Sequence, residues 1–134
     1  MKIYQTLFSS FYFHNKKLHP ETPNPQWVSC AVLALSLYSY LATITTMATV
    51  ISEECRPLMK VSASLFPSFI FMLVNYLVFI RKNQYVEIVG RVNRLGEKHK
   101  SRIILIGILY LILSLLSLVT SFLLIAHKNA ALRQ

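Results

Sequence analysis

Charged residues leave three long gaps in this chain. Residues 27–51, 61–80 and 103–126 contain no Asp, Glu, Lys or Arg and hold 25, 20 and 24 residues. About 20 apolar residues of helix cross the hydrocarbon core of a bilayer. Backbone polar groups at that depth must be satisfied internally, and these runs lack the alternation of a barrel, so each run predicts a helix. The expectation is an all-α integral membrane protein with three transmembrane helices in a single membrane unit, residues 1–134.

The segments between the gaps have their own periodicities. In residues 1–26, Ile3, Tyr4, Leu7, Phe8, Phe11 and Tyr12 recur at spacings of three and four. They predict a short interfacial helix ending near Phe13 and lying along the membrane surface. Pro20, Pro23 and Pro25 then make residues 14–26 an extended linker, and Trp27 suits a head-group boundary. Residues 52–60 form a short connector carrying Glu53, Glu54, Arg56 and Lys60, with a turn at Pro57. Residues 81–102 form a basic connector into which the second helix continues. There Tyr85, Ile88, Val89, Val92 and Leu95 share a face, Glu87 and Arg91 stand at i, i+4, and Gly96 marks a stop. That apolar face lies on anionic lipid, docks a partner, or covers the aromatics of the first segment. Residues 129–134 read as a short polar tail.

Within the gaps, small and hydroxyl residues fall in stripes. Ser29, Ser36, Ser39, Thr43 and Thr46 follow one edge of the first span, and Gly107, Tyr110, Ser114, Ser117 and Ser121 one edge of the third. Lipid offers little hydrophobic drive for helix association, so close approach and shared hydrogen bonds supply it. These edges predict the packing seams, with Ser36, Ser39, Thr43, Gly107, Tyr110, Ser114, Ser117 and Ser121 as determinants. In the second span, Pro67 predicts a bend. Asn75 needs a partner for its amide, either a hydroxyl on a neighbouring span or Asn75 of a second copy.

Charge sets the orientation. The net charge of +9 comes from 14 Lys and Arg against 5 Glu and no Asp. Residues 1–26 and 81–102 carry ten of the basic residues, and residues 52–60 and 127–134 carry four. The positive-inside rule therefore places the N-terminus in the cytoplasm and the C-terminus outside. Arg81, Lys82, Arg91, Arg94 and Lys98 are expected to meet lipid head groups or a cytoplasmic partner. The basic flanks are explained by the bilayer, with no nucleic acid. Cys30 and Cys55 lie at opposite ends of the first span, far beyond disulfide reach.

Catalytic and cofactor signatures are absent. There is no phosphate-cradling glycine loop, HExxH, paired CxxC or GxSxG elbow. His14, His19 and Glu21 match no metal-ligand spacing. No charge lies inside a span, which counts against ion-coupled transport.

The helix end Asn-Tyr-Leu-Val-Phe-Ile-Arg-Lys at residues 75–82, the Tyr-x-x-Ile at 85–88 and the Tyr-x-x-x-Ser at 110–114 carry one resemblance. Over about 55 residues the chain resembles a group of small, uncharacterised three-span membrane proteins of Bacteroidetes. The resemblance implies a bacterial inner membrane and no particular activity. The expected function is a non-enzymatic accessory or assembly subunit, forming a homo-oligomer or part of a larger membrane complex. The alternative is an oligomeric pore or permeation protein of the holin or small-export type. A membrane enzyme ranks third, since it requires a catalytic cluster that the sequence does not contain.

Overall fold

The computed structural model describes residues 2–52, 57, 60, 64 and 66–131. It is helical throughout, with no strand among the described residues: α1 (Ile3–Leu18), α2 (Pro25–Ile51), α3 (Phe66–Asn75), α4 (Gln84–Arg94) and α5 (Glu97–Ala131). A single widened π turn, Tyr76–Ile80, extends α3.

Two helices are long and apolar enough to cross a membrane, Pro25–Ile51 and Glu97–Lys128. The apolar helix Phe66–Ile80 is shorter. At 1.5 Å per residue it reaches about 22 Å, against about 30 Å of hydrocarbon. The first part of the expected second span, residues 61–63 and 65, lies outside the described residues, as do Glu53, Glu54, Cys55 and Arg56. Pro67 sits in the first turn of α3, where a missing N–H breaks no helical bond.

Along the apolar helices many small polar side chains are buried and many large apolar ones are exposed. Ser29, Ser36, Ser39, Thr45, Thr46, Thr49, Ser114 and Ser121 are buried. Leu35, Ile44, Phe69, Leu73, Leu109, Leu113, Leu116 and Phe122 are exposed. Small polar side chains let helices approach, while large apolar side chains face outward, as a hydrocarbon solvent favours.

Helix α1 departs from the expected surface segment in two ways. It continues through His14–Leu18, residues assigned to the linker, because nothing before Pro20 interrupts it. It is also packed inside the bundle, against α2, α4 and α5. Its apolar residues Leu7, Phe8, Phe11 and Tyr12 are buried, and so are Ser9 and Ser10, which lie off that apolar face. Ser9 satisfies its hydroxyl on the Gln5 carbonyl at 2.7 Å, which removes the main cost of that burial. Contacts run in opposite orders along the two helices: Ser10 and Phe11 meet Ile104 and Tyr110, Phe13 meets Lys100, and Lys17 lies beside Glu97. Helix α1 is thus antiparallel to α5, its amino end pointing into the bundle.

The second helix does not run on into the basic connector. It stops at residues 81–83, where Asn83 takes a left-handed conformation at φ 51, a geometry Asn tolerates better than most residues. The separate helix α4 then turns Ile88 and Val92 inward, with Ile88 joining the core around Phe8 and Tyr12. Part of that apolar face covers the aromatics of the first segment. Gly96, at φ +80, separates α4 from α5. Helix α5 takes up residues 97–102, expected in the connector, and continues to Ala131 through part of the expected tail.

Candidate functional site

Asn75 stands where three helices meet. Its side chain is fully buried. Its amide nitrogen donates to the carbonyl of Cys30 at 2.9 Å, and its amide oxygen accepts from the Tyr4 hydroxyl. One side chain thereby joins α1, α2 and α3. An unpaired amide in such surroundings would cost several kcal/mol, roughly 2–7 depending on the reference state. The pairing therefore fixes the relative positions of all three helices.

The widened turn begins immediately after Asn75, and the Arg81 N–H reaches back to the Tyr76 carbonyl at 3.0 Å. Phe79, within this turn, is fully buried. It stacks on Phe8 at 4.2 Å between ring centroids and on Tyr4 at 5.2 Å. Trp27 stacks on Tyr76 at 5.3 Å, closing the same end of the bundle from α2.

The expected packing residues divide into two kinds. Some bridge helices. Ser121 donates to Thr43 at 2.9 Å, Tyr110 packs on Tyr40 and Phe11, and the Tyr40 hydroxyl reaches the Tyr110 carbonyl at 3.4 Å. A Cβ on Gly107 would overlap the Ser10 side chain and stand 3.3 Å from Phe11, so only glycine admits α1 here. The others bond within their own helix: Ser36 to Leu33, Ser39 to Leu35, Ser114 to Leu111 and Ser117 to Ser114, all through backbone carbonyls at 2.7–3.0 Å. These four contribute small size to the seam, and each has its hydroxyl bonded on its own helix.

Arg81, Lys82, Arg91, Arg94 and Lys98 are exposed. Arg91 pairs with Glu87 at 2.7 Å on the surface of α4. Lys128 donates to the Thr49 carbonyl at 3.0 Å, placing a cation at the negative end of the α2 dipole.

Several participants carry no sequence signal of their own. The Cys30 carbonyl is a backbone group, and Ser10 becomes important only once α1 lies against Gly107. Tyr4 and Phe8 could have been noticed as an i, i+4 aromatic pair, but their partners come from distant parts of the chain. Among the described residues, no three His, Cys, Asp or Glu side chains stand close enough to hold a metal ion. No family model matches this sequence, nor does any curated protein or solved structure.

Proposed function

We propose that this chain is a non-enzymatic integral membrane protein with three spans, serving as an accessory or assembly subunit. The observation that carries the reading is the inverted polarity of α2 and α5, with hydroxyls inside and leucines outside. Residues 61–80 supply the remaining span, with Phe66–Ile80 as its cytoplasmic part. By the count of basic residues, the cytoplasmic end is the one holding Lys16, Lys17, Arg81 and Lys100. Helix α1 then enters from that side, with Tyr4 level with Asn75. Asn75 lies six residues before Arg81, or about 9 Å along a helix.

The hydroxyl stripes support a packing role over a water path. Their side chains are committed to backbone carbonyls or to one another, and Ser121 meets Thr43 directly. These edges knit one copy together, leaving the leucine-rich exterior and the basic end for lipid and for a partner.

Determining the native mass after extraction in mild detergent tests this. The accessory role predicts co-extraction with a second polypeptide. A ring of identical copies that conducts ions would instead establish the permeation alternative.

A further inference from the structure

We propose that the cleft between the carboxyl end of α1 and the first turns of α5 binds the phosphate of an anionic phospholipid. The proposal rests on the membrane reading above and adds a specific ligand site to it. The cleft has a volume of about 280 Å³ and receives Lys16 and Lys17 from α1 and Glu97 and Lys100 from α5. Three cations face one carboxylate. Lys100 binds Glu97 at 2.8 Å and lies 5.7 Å from the centre of the Phe13 ring, which fixes its position. Lys16 and Lys17 remain exposed, with no ion-pair partner among the described residues. The cleft therefore keeps two uncompensated positive charges, delivered from two helices.

The apolar lining points to a lipid. Phe13 and Ile104 border the same space. The next residues along α5, Leu105 and Ile106, are exposed. Along α5 the surface thus passes from Lys100 and Arg102 to exposed hydrocarbon within about one and a half helical turns. A phospholipid presents its phosphate and its acyl chains in that order. Free phosphate has the charge but nothing to place on the apolar part.

The test uses the full chain in mild detergent, offered phosphatidylglycerol, phosphatidylcholine or inorganic phosphate, with retained lipid counted by native mass spectrometry. Selective retention of phosphatidylglycerol is expected. K16Q, K17Q and K100Q should each lower it about fivefold, the effect of about 1 kcal/mol per lysine near anionic lipid. Ser101→Phe fills the cleft without altering charge and should abolish the preference, and Ser101 is exposed, so this variant retains the core. K2Q removes the same charge at the opposite end of α1 and should leave retention unchanged. Equal retention of both lipids, or selectivity that survives Ser101→Phe and the lysine variants, would overturn the site. Displacement of the lipid by inorganic phosphate at the same concentration would overturn the lipid as its source. Alkaline carbonate extraction, run in parallel, separates the two layers of the argument. Release into the supernatant defeats the membrane reading itself, whereas a chain that stays in the pellet without lipid selectivity defeats the cleft alone.

Discussion

Ser10 rests against Gly107 so closely that the glycine has no room for a side chain. The Ser10 hydroxyl donates to the Ile104 carbonyl at 3.1 Å, one turn earlier on α5. The contact brings α1 to the backbone of α5 and sets the depth of the aromatic residues that follow.

Gly107→Ala should therefore destabilise the protein by about 1–3 kcal/mol, the range for an overpacked methyl. Shrinking the opposite side chain provides the control. Adding Ser10→Gly to Gly107→Ala should restore part of the loss. Thermal unfolding in detergent, followed by circular dichroism, measures both. A Gly107→Ala protein that melts like the parent would place α1 elsewhere.

The amide of Asn75 makes a second, different prediction. Asn75→Leu removes partners from both Tyr4 and the Cys30 carbonyl. Single hydrogen bonds between membrane helices average about 0.6 kcal/mol, so Tyr4→Phe should cost about that much and Asn75→Leu about twice as much. A double-mutant cycle should show coupling between the two positions, because they share one bond. Strict additivity would mean that Tyr4 does not reach Asn75.

Phe8 is fully buried against Phe79. Phe8→Ala should cost about 3–5 kcal/mol through lost contact and the cavity left behind. That loss exceeds any expected from the hydroxyl stripe, since Ser36 and Ser39 are bonded within α2. Comparing Phe8→Ala with Ser36→Ala by the same melt establishes whether the aromatic core or the stripe dominates stability.

Glu97 provides a prediction in pH. The hydrogen bond from Lys100 holds its carboxyl below the ordinary carboxylate range, and the charges of Lys100 and Lys17 act in the same direction. A carboxylate depressed in the folded state contributes above its unfolded pKa and loses that contribution as pH falls through the folded value. Lys100→Gln should raise the Glu97 midpoint toward the ordinary value, observed by carboxyl carbon NMR. Because Glu97 is exposed, global stability should change little.

The long helices were legible in the sequence because their signal is local. An unbroken uncharged run in α2 or α5 records its own environment at every position. The role of α1 was not legible. The spacing of Tyr4, Phe8 and Phe11 reports an apolar face but not whether lipid or protein covers it. Ser9 looks polar in sequence and is buried only because its hydroxyl bonds to the Gln5 carbonyl. The break at Asn83 is hidden for a related reason: Arg81, Lys82 and Asn83 are all compatible with a continuing helix, and the packing of α4 over α1 overrides that preference. Asn75 was recognised as requiring a partner. Its partners, 71 and 45 residues away in sequence, depend on the fold as a whole.

Spin labels placed one at a time along residues 109–123 would test the account most directly. Their accessibility to oxygen, which concentrates in lipid, is compared with that to a water-soluble nickel complex in reconstituted vesicles. Labels at Leu109, Leu113, Leu116 and Phe122 should be accessible to oxygen and protected from nickel, while those at Ser114 and Ser121 should be protected from both. High nickel accessibility along the leucine face would mean that α5 lies in water, and would contradict the proposal that this chain is built for a bilayer.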